Sequence, residues 1–252
     1  MMIEGNGYKV YFEDCMMGMN LRLADNSVDL IIGDPPFGIG FDGKKKGNYN
    51  RDSKNVIEGY QEAPLDYMKF TIEWLGHAKR VLKENGTIYA FSSWEKMWEI
   101  LYAASYLGLT NHAFLTWSKT FPTYKRWNWV DSFYCIFMLT KYKPSESGKP
   151  NHTFNKVLTP NSKGELRHYP RSDLHFQEEY MRGKKKNSTK LPFELVEHLV
   201  LTSSEEGDVV LDPFLGNGTT LAVCKSHNRK LIAFEINPNA REVIQNVIDG
   251  VH

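Results

Sequence analysis

The sequence predicts an α/β protein: a mostly parallel sheet with helices on both faces. Apolar runs of strand length alternate with helical patterns along most of the chain. SVDLII (27–32) stays apolar without alternation, as a strand buried on both faces does. Gly216-x-Gly218 directly follows one strand-like run and opens a helix.

Taken in order, YKVYF (8–12) reads as a strand, with Asp14 after it, and SVDLII as the second. The polar stretch 42–63 has little periodicity, and a loop of that length in a compact domain is usually a lid, a binding loop or disordered. Pro64 is expected to open a helix whose inner face carries Leu65, Met68, Ile72, Leu75, Ala78 and Leu82. GTIYAF (86–91) is the next strand. Ser92 and Glu95 have capping-box spacing for a helix that runs to Gly108, its C-terminal cap. HAFLTW (112–117) and FYCIFMLT (133–140) are β-rich. Residues 141–187 are polar and basic and predict an insertion with little regular structure. From Leu191 the rhythm returns: a helix to about Thr202, strand DVVL (208–211), a helix after the glycine loop, strand KLIAFE (230–235), and a last helix with Pro238 at its first position.

With 252 residues, 41% hydrophobic and 24% charged, the chain is expected to form one soluble domain with a sizeable core. Cys15, Cys135 and Cys224 lie far apart with no C-x-x-C pair, which suggests neither a disulfide framework nor a zinc site and fits a reducing compartment. No apolar run reaches membrane-span length, and MMIEGNGYKV does not read as a signal peptide. The net charge of +1 conceals an asymmetry. Residues 119–190 hold 15 Lys and Arg against 6 Asp and Glu, a balance of +9 that leaves −8 for the rest. Such a segment suits a polyanionic partner or a solvated, lysine-rich loop.

In VVLDPFLGNGTTLAV the glycines allow close backbone approach to a ligand, and the helix start favours a negative group. Glu235 ends the following strand, where a carboxylate can accept both hydroxyl hydrogens of a ribose. No Lys follows the loop, so it is not a triphosphate P-loop, and Leu221 stands where a dinucleotide fingerprint has its third glycine. A nucleoside-like cofactor without pyrophosphate, or a bare strand-to-helix turn, remains. DLIIGDPPFGIG (29–40) poses a similar choice. The backbone at Asp34 and Pro35 offers carbonyl oxygens, Asp34 adds a carboxylate, and Phe37 adds a flat ring. Pro35 and Pro36 donate no hydrogen bond and limit backbone freedom. The cluster suits an NH2 group on an aromatic ring, or is simply a strand-terminating turn.

Together, DPPF (34–37), DPFLGNGTT (212–220) and FEIN (234–237) resemble the amino-methylating DNA methyltransferases that use S-adenosylmethionine, in the permuted order called the beta group. The resemblance implies a Rossmann-like methyltransferase fold: a seven-stranded, mostly parallel sheet ending in an antiparallel hairpin, LTWSK with IFMLTK, and covered by helices on both faces. It implies a single catalytic domain over 1–252 with a basic target-recognition region inserted at about 141–187. By the same resemblance Asp34, Pro35, Pro36 and Phe37 are catalytic. The cofactor residues it implies are Asp14, Asp34, Ser188, Thr189, Asp212, Pro213, Phe214, Gly216, Asn217, Gly218, Thr219, Thr220, Glu235 and Asn237. Ser188 and Thr189 open STKLPFELVEHLV (188–200), which is similar to the family's segment before the glycine loop. Two positions depart from the family pattern. Leu191 separates Lys190 from Pro192, and Tyr134 stands where an acidic residue often enters the last hairpin strand.

The implied reaction is direct methyl transfer from S-adenosylmethionine, leaving S-adenosylhomocysteine, with no metal. The target would be adenine N6 in DNA, because Asp at the first catalytic position is more often associated with adenine. Cytosine N4 is the close rival, and an RNA methyltransferase or a non-catalytic binding module are the further alternatives. The base would be flipped from the duplex, with Lys44, Lys45, Lys46, Lys119, Lys125, Arg126, Lys184, Lys185 and Lys186 on the nucleic acid. Trp117, Trp127 and Trp129 either stack there or pack internally. A homodimer and a cognate restriction endonuclease are the further partners the resemblance allows; no membrane is involved. The expected setting is cytoplasmic and nucleoid-associated, prokaryotic or viral.

Overall fold

The computed structural model describes residues 1–38, 57–123, 126–142, 150–158, 163, 165, 170–177 and 190–250. A sheet of nine strands, in the order β1-β2-β9-β8-β3-β4-β6-β5-β7, forms its centre. The strands are β1 (Met2–Gly5), β2 (Tyr8–Tyr11), β3 (Val28–Gly33), β4 (Leu82–Ser92), β5 (Thr110–Thr123), β6 (Asp131–Thr140), β7 (Asp173–Leu174), β8 (Val209–Asp212) and β9 (Lys230–Phe234). From β2 through β9, β8 and β3 to β4 the neighbours are parallel, and β6 and β5 complete the sheet as an antiparallel hairpin. These are the seven expected strands. Two short ones extend the edges: β1 pairs antiparallel with β2, and β7 pairs with Thr116 and Trp117 of β5. Among the described residues of 141–187, β7 is the only regular element.

Strand alternation sorts the core into two layers. On β3, Ile31 faces one layer while Leu30 and Ile32 face the other, and an irregularity between Val28 and Leu30 puts Val28 in the layer of Ile31. The first layer holds α1 (Cys15–Arg22), α2 (Tyr67–Val81) and α3 (Met97–Tyr106); the second holds α4 (Phe193–Ser203), α5 (Thr219–Ser226) and α6 (Arg241–Ile248). β3 is buried along nearly its whole length because both layers cover it.

Three helix starts differ from expectation. α2 begins at Tyr67, where the Asp66 side chain accepts the Lys69 N–H. Leu65 is therefore fully exposed outside the helix, and the inner face is Tyr67, Phe70, Trp74, Leu75, Ala78 and Val81. Ser92 does not cap α3. It ends β4, paired with Cys135, and α3 starts after Lys96 with no side-chain cap. Gly108 does close α3, at φ +69°, with the Leu109 N–H reaching the Ala104 carbonyl. At Pro238 the chain makes one turn of 3-10 helix, Pro238–Ala240, before α6 begins.

Adjacent β8 and β3 send their connections in opposite directions. β8 continues through α5 to β9, and β3 continues through α2 to β4, with α5 and α2 in different layers. That reversal opens a crevice at the carboxyl ends of the two strands. The antiparallel hairpin brings the end of β5 and the start of β6 to the same edge of the sheet.

Candidate active site

Four acidic residues line this edge, each at or just past the end of a parallel strand: Asp14 after β2, Glu235 after β9, Asp212 closing β8, and Asp34 after β3. Asp212 is buried. It accepts the Phe214 N–H at 2.9 Å, and the Thr220 side chain bonds to it as well. Asp34 keeps some solvent contact, yet protein packed around its carboxyl, and then the Asp212 charge, push its pKa up to about 7. Burial, with Glu235 nearby, raises Asp212 to about 7 against the lowering effect of its hydrogen bonds. No Lys or Arg among the described residues pairs with either carboxyl. The pair therefore forms a locally electronegative floor.

The glycine loop stands beside this pair. Gly216 and Gly218 adopt φ +53° and +84°, conformations other residues enter at a cost. Gly218 is the N-cap of α5, and its N–H donates to Leu215. Glu235 holds the loop from the side: one oxygen accepts the Gly216 N–H and the other the Asn237 N–H, both at 2.7 Å. Burial raises its pKa, opposed by these bonds. Thr219 donates to the Leu191 carbonyl, joining α5 to the segment before α4. Pro213 is buried, and Phe214 meets Trp74 edge-on at 5.5 Å, so this part of the loop is anchored in the first layer. Asn217 lies half-buried between the two glycines.

The catalytic-loop candidates follow β3 directly. Pro35 is buried, while Pro36 and Phe37 are half-buried. Phe37 is not a free-standing plate: its ring lies 6.2 Å from Tyr134 on β6, and Tyr134 stacks on Trp117 of β5 at 5.0 Å. An aromatic row thus runs from the loop after β3 onto the hairpin. Gly38 (φ +65°) turns the chain above Tyr67, whose ring a Cβ there would meet at 2.6 Å. Tyr60 and Tyr67 both lie within electrostatic reach of Asp34; burial, with nearby carboxylates, pushes both phenols up.

Several expected residues carry structural duties. Asp14 caps α1 by accepting the Met17 N–H. Asn237 uses its side-chain oxygen to cap the 3-10 turn and its amide to donate to the Glu58 carbonyl. Lys119 is not offered to solvent. Only 9% of its side chain is exposed; it bonds Asp131 at 2.6 Å and sits over the Tyr134 ring. Trp117 is buried, with its indole N–H on the Phe176 carbonyl. Trp127 and Trp129, by contrast, are 88% and 91% exposed at the hairpin tip, where Arg126 lies over the Trp127 ring. Lys44, Lys45, Lys46, Lys125, Lys184, Lys185, Lys186, Ser188 and Thr189 lie outside the described residues. Glu62, Gly59, Asn239 and Tyr60 went unrecognised in the sequence, since all but Asn239 fall in a polar stretch without period and their neighbours come from distant strand ends.

The arrangement can hold a cationic, nucleoside-like molecule across the ends of β9, β8 and β3, and a flat amine beside Asp34 and Phe37. Comparison with known proteins gives a consistent picture. The DNA methylase family model for N6 and N4 enzymes matches residues 28–246. Type II methyltransferase M.HpaI of Haemophilus parainfluenzae is 31% identical over 237 residues, covering 91% of this chain and 70% of that protein. Type II methyltransferase M.HinfI of Haemophilus influenzae is 31% identical over 229 residues, covering 88% of this chain. The chain spans 63% of that relative, under two thirds of its length. The crystal structure of the M1.HpyAVI–SAM complex shares the fold at a TM-score of 0.67 and 21% identity, over 96% of this chain and 99% of that one.

Proposed function

The chain belongs to the N6/N4 DNA methylase family, and from that premise we propose that it methylates the exocyclic amine of a base flipped out of duplex DNA, adenine N6 ahead of cytosine N4. The methyl donor is S-adenosylmethionine, whose sulfonium supplies an already activated methyl group. The acidic edge fits such a cation: Asp34 and Asp212 lie close together without a basic partner among the described residues, and Glu235 stands one strand further on. The two positive-φ glycines give the donor's carboxylate and ribose an open backbone to approach.

The observation that carries the reading is the Asp34–Phe37 loop placed next to the glycine loop by adjacent β3 and β8. Asp34 and the Pro35 carbonyl accept the two amine hydrogens, which returns lone-pair density to the nitrogen. Phe37, backed by Tyr134, stacks on the base. Holding the amine in line with the methyl carbon and excluding water makes up most of the protein's task. The amine attacks neutral, in one displacement, and loses its proton afterwards. The relatives' type II designation supports a place in a restriction–modification pair.

DNA from a methylation-free host expressing the chain, digested and analysed by mass spectrometry, is expected to contain N6-methyladenine. N4-methylcytosine would instead assign the target to cytosine, and the absence of any methylated base would overturn the activity. Asp34→Ala should abolish the modification while S-adenosylmethionine still binds; retained turnover would remove Asp34 from the chemistry.

A further inference from the structure

The segment Ile57–Ala63 joins the two halves of the cleft. At one end the Glu58 carbonyl accepts from the side-chain amides of Asn237 and Asn239, both at 2.9 Å, just past β9. Gly59 makes that seat possible. It sits at φ +87° in a turn closed by the Tyr60 N–H on the Ile57 carbonyl, and a Cβ there would lie 2.8 Å from the Asn237 oxygen. At the other end one Glu62 oxygen accepts the Gly38 N–H at 3.0 Å and the Ala63 N–H at 2.8 Å. Gly38 directly follows Phe37. The anchors therefore sit at strands β9 and β3, two positions apart and about 10 Å, within reach of residues 58–62 and the Glu62 side chain. Tyr60, midway, comes within electrostatic reach of Asp34.

We infer that Glu62 is a positioning residue for methyl transfer, fixing the Asp34–Phe37 loop through Gly38 while the 58–62 strap ties that loop to the cofactor end of the cleft. This rests on the methyltransferase reading above. Glu62 touches neither the amine nor the methyl donor in this role. Its oxygen accepts two backbone N–H groups, a task an amide oxygen performs equally well. Losing the acceptor releases Gly38 and lets the amine drift from its line of attack, which lowers the chemical step rather than binding.

Single-turnover methylation of a DNA duplex separates the cases, because only folded, cofactor-loaded enzyme contributes; circular dichroism at the assay temperature establishes folding. Glu62→Ala is expected to slow transfer by about 10- to 100-fold, with the Kd for S-adenosylmethionine and the KM for DNA within about threefold of the parent. Glu62→Gln should recover most of that loss. Unchanged transfer in Glu62→Ala, an equal loss in Glu62→Gln, or a fall in cofactor affinity matching the fall in rate would each overturn the inference. If the parent chain transfers no methyl group, the functional reading fails instead.

Discussion

At the scale of single residues, the Asp34–Asp212 pair decides how the site responds to pH. Both carboxyls lie at about 7, Asp34 through burial and then the Asp212 charge. Asp34 therefore titrates in the field of the Asp212 charge. A carboxyl raised in the folded state keeps its proton from its unfolded value near 4 up to about 7. The native state therefore binds more protons than the unfolded chain in that window, and stability from these groups is lost as pH rises through it. Asp212→Asn removes one charge while its side-chain oxygen can still accept the Phe214 N–H. Two outcomes follow. The rising limb of kcat/KM for S-adenosylmethionine, expected near pH 7, should move to lower pH, because Asp34 no longer faces an anion. The Tm of the variant minus that of the parent, both ligand-free, should grow as pH climbs from 5 to 8. A limb that stays in place would uncouple the two carboxyls.

At the scale of elements, local signals worked where tertiary contacts did not compete. The runs that became β3, β8 and β9 were legible because burial on both faces demands unbroken apolar sequence. Ser92-x-x-Glu95 misled because pairing of Ser92 with Cys135 holds it in β4. Pro64 misled because Asp66, two residues later, caps α2 instead. The three tryptophans show a different limit. Trp117 and Trp127 are the same residue type ten positions apart, and only strand pairing separates them: Trp117 lies opposite Tyr134 inside the sheet, whereas Trp127 and Trp129 cross the open end of the hairpin. Two indoles left almost wholly in water, at the cleft edge of the sheet beside Arg126, suit stacking on nucleic-acid bases. Replacing both with alanine should weaken duplex binding about tenfold or more, given about 1–3 kcal/mol per stacked base, and should leave Tm nearly unchanged. Fluorescence anisotropy with a labelled duplex reads the first and thermal denaturation the second; unaltered affinity would remove the hairpin tip from the interface.

At the scale of the whole molecule, the site arises from strand order. Asp34 and Asp212 stand 178 positions apart in the chain and become neighbours because β3 pairs with β8. The two motifs were readable separately, but their meeting depends on which strands pair, and no local pattern states that. Charge follows the same division. The cleft edge is acidic, whereas 119–190 carries the +9 balance, so the charge distribution would draw a polyanion to that segment and not to the cleft floor. Lys119 is already engaged with Asp131, so on the proposed DNA-methylating function phosphate contacts would fall to the remaining cations of the segment, among them Arg126 and the Lys184–Lys186 run. Each phosphate contact releases condensed counterions, which makes the logarithm of affinity fall with the logarithm of salt by about 0.9 per contact. Duplex affinity should therefore drop steeply between about 50 and 200 mM salt. Changing Lys184, Lys185 and Lys186 together to Glu should weaken binding at low salt and flatten the slope, whereas Lys119→Gln should leave the slope nearly as it was. An affinity indifferent to salt would mean that the basic segment is a solvated surface and that the duplex is held by other means.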